Sequence, residues 1–397
     1  MHKPRLLIVL NRLVIGGPAV NTLAVAHLLQ DEFDVLLVAG EPAHGEESAV
    51  YLLDRYKGMN VRMIKNIKRS VLPLNDLKAF YEIKSVIKDF RPDIVHTHGS
   101  KPGVLARIAA WQLNVPVIVH TYHGHVFHSY FNSLLSALII KSERWLAKHS
   151  SFVIAINERL KQELEYQYRI APPSKVILNR LGIDALSFLE NNEHKRIQFR
   201  NEFSIQPNQH AVGIIGRLVP VKNHKAFIEL IASLLLSSEV MLKFFIVGDG
   251  DEKQKLEALL RLKKITYTHA GPLYDANASV VFTSWRKDMD DVLAGLDVVV
   301  LTSLNEGTPV SIMEAMAAGK PVIASDVGGI AELFQNGQNG VVYQQYEQLP
   351  GICLQILQNP ELYASLSKNA RTFASQNLTL TKQVSSLKSA YLSALNL

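Results

Sequence analysis

The sequence predicts two doubly wound α/β domains, and three observations predict them. Short apolar runs alternate with amphipathic helical stretches along most of the chain. The alternation stops in a polar, strand-poor stretch over 187–209 and then restarts. A length of 397 residues exceeds one ordinary core and suits two domains of comparable size. At 48% hydrophobic and 20% charged, with no low-complexity segment, the chain has the makeup of a globular protein.

In the first half the runs 5–10, 34–38, 94–96, 117–121 and 152–155 read as short buried strands, and 19–29, 76–89, 104–113 and 132–148 as helices. Strands separated by helices imply right-handed crossovers and a parallel sheet. In the second half 211–215, 243–247, 297–301, 321–324 and 341–343 read as strands. The helices there are 224–236, 253–262, 310–318 and 330–334, followed by an amphipathic helix over 380–395. The domains are therefore expected over 1–185 and 186–375, with 376–397 as a separate helical segment.

The apolar run that follows Met1–Arg5 is too short for the core of a signal peptide and reads as a first buried strand. No stretch approaches the roughly twenty apolar residues that cross a bilayer. The single cysteine, Cys353, excludes an intramolecular disulfide and a thiolate-rich metal site, which fits a reducing cytoplasm. The net charge of +6 is uneven, with 23 Lys and Arg against 16 Asp and Glu in residues 1–185. That surplus either attracts anionic headgroups or a phosphorylated acceptor, or is a plain solvated surface. No nucleic-acid-binding motif accompanies it. The helix over 132–148 poses a similar choice. Its Leu134, Leu135, Leu138, Ile139, Trp145 and Leu146 face either a bilayer, with Lys141, Arg144 and Lys148 near headgroups, or the core.

Doubly wound sheets bind ligands at the carboxyl ends of their strands. The first strand runs into Gly16-Gly17-Pro18 and then a helix. The glycines allow close backbone approach and the free amides of the helix start favour a diphosphate, unless the pair only turns the chain. Two strand ends are rich in histidine: Asp93-Ile94-Val95-His96-Thr97-His98-Gly99-Ser100-Lys101, and His120 through His128. Alternate residues share a face, pairing His96 with His98 and His123 with His125. Neither a nearby cysteine nor a His-Glu-x-x-His pattern supports a metal. His123, directly before Gly124, is the first choice for a ligand contact, whereas His96 and His120 lie inside their strands and read as structural.

In the second half, Gly216-Arg217-Leu218-Val219-Pro220-Val221-Lys222 leaves a strand with two cations that suit a diphosphate leaving group. Gly248-Asp249-Gly250 ends the next strand. The run from Thr302 to Ala315 then offers Thr308 as N-cap and Pro309 as first helical residue, with the amides of 307–310 as an anion nest. Glu306 and Glu314 either accept hydrogen bonds from hydroxyls or are helix-start and surface charges.

Together these residues resemble the large group 1 family of retaining glycosyltransferases, which includes sucrose synthases and bacterial mannosyl- and hexosaminyltransferases. The resemblance is carried by Glu306 and Glu314 with seven residues between them and by Lys222 five positions after Arg217. Gly16-Gly17, His123-Gly124 and Ala317-Ala318-Gly319-Lys320-Pro321-Val322 add to it. It implies the GT-B architecture, two Rossmann-like parallel-sheet domains facing a central cleft, with 376–397 packed back on the first domain. It implies a donor site of Gly16, Gly17, Arg217, Lys222, Gly248, Asn305, Glu306, Gly307, Thr308, Pro309, Val310 and Glu314. His123, Arg217, Lys222 and Glu306 act in the chemistry, and His98, Lys101 and His125 lie on the acceptor side. The segment Asn179-Arg180-Leu181-Gly182-Ile183-Asp184 departs from the family pattern by extra residues between Asn179 and Gly182.

The implied activity transfers a hexosyl or N-acetylhexosaminyl group, with retention, from a nucleotide diphosphate sugar to a sugar- or lipid-linked acceptor in envelope polysaccharide or glycolipid synthesis. A UDP-sugar is expected over GDP-mannose from its frequency in the family. No cofactor and no metal is expected, because Arg217, Lys222 and the helix start supply the countercharge. The expected location is cytoplasmic, either free or peripheral on the inner face of the membrane. A nucleotide-sugar epimerase and a catalytically silent nucleotide-sugar-binding subunit are the competing readings.

Overall fold

The computed structural model describes residues 2–43, 46–68, 72–124, 133–190 and 192–396. His125 lies outside the described residues, as does the first residue of the helix expected over 132–148. The chain divides into two compact units, one of Met1–Gly182 with Leu380–Leu397, the other Ile183–Thr379.

The first unit runs β1 (Arg5–Arg12), α1 (Gly17–Leu29), β2 (Asp34–Gly40), α2 (Leu52–Arg55), β3 (Asn60–Ile64), α3 (Pro73–Phe90) and β4 (Ile94–His98). It continues with α4 (Ser100–Gln112), β5 (Val117–Tyr122), α5 (Ser133–Lys148), β6 (Phe152–Ala155), α6 (Glu158–Gln162) and β7 (Val176–Leu178). The strands form one sheet in the order β3-β2-β1-β4-β5-β6-β7, every described pairing parallel. Alternation along β1 sends Leu6, Ile8 and Leu10 to one face with Leu23 and Leu29 of α1. It sends Leu7 and Val9 to the other, with Ile83 and Val86 of α3 and Ala106 of α4. A sheet covered on both faces needs continuous apolar strands, which is why these runs lack polar alternation.

The second unit runs α7 (Asn192–Glu202), β8 (His210–Ile215), α8 (His224–Ser237), β9 (Leu242–Val247), α9 (Lys253–Leu262), β10 (Tyr267–His269), β11 (Val280–Ser284) and α10 (Met289–Gly295). It ends with β12 (Val298–Leu301), α11 (Val310–Ala317), β13 (Val322–Ser325), β14 (Val341–Tyr343), α12 (Leu349–Gln358) and α13 (Pro360–Asn377). Its sheet order is β10-β11-β9-β8-β12-β13-β14. The remaining helix, α14 (Leu380–Leu395), belongs to the first unit. There Leu387 and the fully buried Tyr391 join the core on the α1 face. Burying a side chain of that size contributes roughly 1.5–3 kcal/mol.

Several elements differ from expectation. β3, β7, β10 and β11 are not among the expected strands: β3 exposes alternate residues at an edge, β7 and β10 are three residues long, and β11 is a buried Val-Val-Phe-Thr-Ser run. The polar stretch 187–209 contains α7, which buries Phe199 against Phe203 and Phe245. The helix expected over 330–334 closes only as a 3-10 turn at Ala331–Leu333, hemmed in by Gly328-Gly329 before it and Asn336-Gly337 after it.

Candidate functional site

In each sheet the chain first winds to one side and then returns to the other, and the carboxyl ends at that reversal form a natural crevice. In the second unit the reversal falls between β8 and β12, which are hydrogen-bonded neighbours. Arg217 and Lys222 follow β8, and the segment from Thr302 to Glu306 follows β12. Lys222 ends a 3-10 turn, Pro220–Lys222. Thr302 ties this turn down, its Oγ1 donating to the carbonyls of Lys222 and Asn223 at 3.2 and 2.9 Å. Leu304 N donates to Val221 O at 2.8 Å.

This bracing brings Lys222 Nζ to 2.5 Å from Glu306 Oε1. Ser303 Oγ donates to the same oxygen at 2.6 Å. The two charged side chains are only 18% and 12% exposed. Arg217 is exposed instead, and nothing among the described residues holds its guanidinium. Glu306 is itself fixed from β13. Gly329 N donates to Gly307 O at 2.9 Å. Gly328 has φ +57°, and a Cβ there would overlap the Glu306 carbonyl oxygen. Gly248, at φ +131°, approaches Gly216 so closely that a Cβ would strike its carbonyl. Asp249 is half-buried, and although burial favours its neutral form, hydrogen bonds from Ser284, the Gly250 amide and Lys253 hold its carboxyl below the usual range.

The helix start is one residue later than expected. Pro309, not Thr308, is the N-cap of α11, because its ψ of 112° is extended and outside the helical range. Val310 and Ser311 then supply the first helical amides, which have no carbonyl within the helix to pair with. Asn305, Gly307 and Thr308 are half-buried beside them, and Glu314 is half-buried one turn further on.

In the first unit the reversal falls between β1 and β4. Gly16 caps α1 in extended backbone, and a Cβ there would meet nothing within 4 Å. Gly17 and Pro18 open the helix. His98 ends β4 and His123 follows β5, with His98 Nδ1 2.8 Å from His123 Nε2. His96 is buried and held at both ring nitrogens, by Tyr391 OH at 2.5 Å and Thr121 Oγ1 at 2.7 Å. Burial, with repulsion from His123, pushes His96 down to about 3. Burial pushes His123 down to about 4. His98 and His120 lie well below the ordinary value, burial leading in both. His120 meets Thr97 Oγ1 at 2.8 Å inside the sheet. His96, His98 and His123 line a cavity of about 20 Å³ with Asn21, Asn179 and Gln383. Lys101 does not project as a free cation, since its Nζ is 2.6 Å from Asp76 Oδ1.

The sequence reading missed the support of these residues. Gly328-Gly329 had a signal, a glycine pair after a strand. Ser303 and the buried trio Arg107, Glu143 and Tyr122 had none. Arg107 grips Glu143 at 3.0 and 2.8 Å, and Tyr122 OH donates to Glu143 at 2.6 Å, fixing the end of β5 next to His123. Among the described residues, no cluster of three or more His, Cys, Asp or Glu side chains is arranged to hold a metal ion. None of the described helices is long and apolar enough to cross a membrane.

Comparison with known proteins adds the family. Residues 15–185 match the model described as Glycosyltransferase Family 4, and residues 195–373 the model of Glycosyl transferases group 1. The chain is 28% identical over 374 residues, 92% of its length and 90% of the relative's, to the UDP-Gal:alpha-D-GlcNAc-diphosphoundecaprenol alpha-1,3-galactosyltransferase of Escherichia coli. It is 25% identical to the Campylobacter jejuni N,N'-diacetylbacillosaminyl-diphospho-undecaprenol alpha-1,3-N-acetylgalactosaminyltransferase, with 80% of this chain and 82% of that one covered. In fold it is similar to Anabaena HepE in complex with UDP-glucose, with a TM-score of 0.78, 20% identity and coverage of 98% and 99%.

Proposed function

We propose that this chain, which belongs to the GT-B glycosyltransferases of the group 1 and family 4 superfamily, transfers a hexosyl or N-acetylhexosaminyl group from a UDP-sugar to an acceptor hydroxyl, with retention. The observation that carries this reading is the Lys222–Glu306 pair at the strand reversal of the second unit, beside the open amides of α11. One cation suits a phosphate and one carboxylate suits sugar hydroxyls, and they stand adjacent. On donor binding the diphosphate takes Lys222, Arg217 and the amides of Val310 and Ser311. Glu306, released from Lys222, accepts from the hexose, Glu314 from the ribose, and Gly16-Gly17 borders the diphosphate. His123 contacts the sugar near its reacting carbon, with His98 on the acceptor side.

In the chemical step the acceptor oxygen bonds to the anomeric carbon on the face from which the diphosphate departs. The carbon–phosphate oxygen bond breaks, and the acceptor proton passes to the departing phosphate. Positive charge from Lys222 and Arg217 stabilises the leaving group as its charge develops.

The similarity to the two undecaprenol-diphosphate-sugar transferases, over 92% and 80% of this chain, supports a lipid-linked acceptor in envelope polysaccharide synthesis. The surface of α5 supports contact with an anionic bilayer. Its two halves divide the choice left by the sequence. Leu146 is buried, whereas Leu134 and Leu138 are 74% and 59% exposed, with Lys141 exposed one turn on; Trp145, 42% exposed, packs edge-on against Trp111 at the surface. Glu143, the only carboxylate of that helix, is neutralised inside by Arg107. Leu134→Ser with Leu138→Ser should abolish cosedimentation with phosphatidylglycerol-containing vesicles. Unchanged cosedimentation would remove α5 from the contact.

The deciding experiment is a panel of UDP-galactose, UDP-glucose, UDP-N-acetylhexosamines and GDP-mannose, read by thermal shift and acceptor-dependent nucleotide release, with product anomers assigned by NMR. Acceptor-dependent UDP release with retained configuration is expected. An inverted product, or sugar interconversion without acceptor, would overturn the proposal.

A further inference from the structure

His123 owes its setting to residues beyond its own strand end. The His98 and His123 rings meet edge to edge, centroids 5.1 Å apart and planes 30° apart, joined by the Nδ1–Nε2 hydrogen bond of 2.8 Å. His98 also packs against His96, whose ring lies 4.2 Å away and is pinned by Tyr391 and Thr121. His123 Nδ1, by contrast, is buried and has no partner among the described residues. With both rings neutral, a single proton lies between them. An orphaned acceptor is tolerated in the interior better than an orphaned N–H. The proton therefore sits on His123 Nε2 and is donated to His98 Nδ1, leaving a lone pair at Nδ1 of His123.

We propose that His98 is a positioning residue: by accepting the Nε2 proton of His123 it fixes that ring's tautomer and turns the Nδ1 lone pair toward a sugar hydroxyl. The sugar end of this inference rests on the assignment of His123 made above; the tautomer end does not. Which ring nitrogen bears the proton is set by the hydrogen bond made at the other.

The test uses the full chain with [15N]histidine, the His123 signals being assigned by their loss in His123→Gln. His98→Phe keeps a ring against His96 but removes the acceptor. His98→Asn keeps an amide oxygen near the Nδ1 position. Wild type should show an unprotonated Nδ1 on His123 at pH 7, and His98→Phe a mixture of tautomers. With the donor selected by the panel above, kcat of His98→Phe should fall at least about tenfold, with donor KM within about threefold. His98→Asn should restore both the tautomer and most of kcat. A protonated Nδ1 in wild type, an unchanged tautomer in His98→Phe, or a folded His98→Asn no better than His98→Phe would overturn the proposal. Wild-type turnover in His123→Ala would instead sink the sugar-site assignment, leaving the tautomer result to judge His98 alone.

Discussion

Replacing Lys222 by alanine tests the pairing on which the donor site is built, because it changes two quantities in ways the structure fixes. Without donor, Glu306 loses its counter-ion while remaining 12% exposed, and among the described residues only the Ser303 hydroxyl still donates to it. Removing one partner of so enclosed a pair leaves the other charge uncompensated, at a cost of about 3 kcal/mol to the second unit. Glu306→Gln should cost somewhat less, since the amide oxygen still accepts from Lys222. The double variant Lys222→Ala, Glu306→Gln should fall short of the sum of the two single variants by about 2 kcal/mol, the coupling expected of a hydrogen-bonded charge pair in contact. Urea unfolding followed by Trp285 fluorescence reads these values, because that tryptophan lies in the second unit. On the proposed role of Lys222 in stabilising the leaving diphosphate, kcat of Lys222→Ala should fall by about two to three orders of magnitude. Additive stabilities would deny the pairing, and wild-type kcat in a folded Lys222→Ala would deny the phosphate role.

Other expectations follow from the same geometry. Arg217→Ala, which breaks no hydrogen bond or ion pair of the guanidinium among the described residues, should leave stability within about 0.5 kcal/mol while lowering nucleotide release; a large loss of stability would show a structural role. Gly328→Ala should destabilise the Glu306 loop by more than about 2 kcal/mol, adding left-handed strain to steric overlap, and should abolish the thermal shift given by UDP-sugar. Gly16→Ala meets no obstacle, so unchanged stability with reduced turnover would mark that glycine as facing a ligand, and unchanged turnover would reduce it to a turn. His96 and His123 have folded values of about 3 and 4, below their unfolded value near 6.5. Their contribution is therefore complete above pH 6.5 and lost as pH falls toward 4. The first unit should weaken by on the order of 1 kcal/mol per histidine per pH unit in that window, read by Trp111 and Trp145 fluorescence in a Trp285→Phe background. A flat profile would contradict it.

How much of this was legible in sequence depends on whether the information was local. Strands such as β6 and β14, and helices such as α9, carry their whole signal in consecutive residues, and their bounds agree with the expected runs. β11, buried between β9 and β10, carries as strong a local signal in Val280-Val281-Phe282-Thr283, so its absence from the expected strands is not a lack of information in the sequence. In the site, Arg217, Lys222 and Glu306 were visible as residue types at strand ends. That Lys222 and Glu306 grip each other was not, since 84 residues separate them and only the pairing of β8 with β12 brings them together. The one-residue error at Pro309 has a similar cause. Proline suits both the first helical position and the extended residue before it, and only ψ separates them.

The membership of α14 in the first unit bears on how the protein is made. The second unit is one uninterrupted stretch, 183–379, and can complete itself as it leaves the ribosome. The first cannot. Until residues 380–395 emerge, one side of the β1–β4 region has no lid of Leu387 and Tyr391, and the His96 ring has no phenol to meet. The half of the molecule that is translated first is thus the half that matures last, and a polypeptide stopped at residue 379 would carry a finished second unit and an unfinished histidine face.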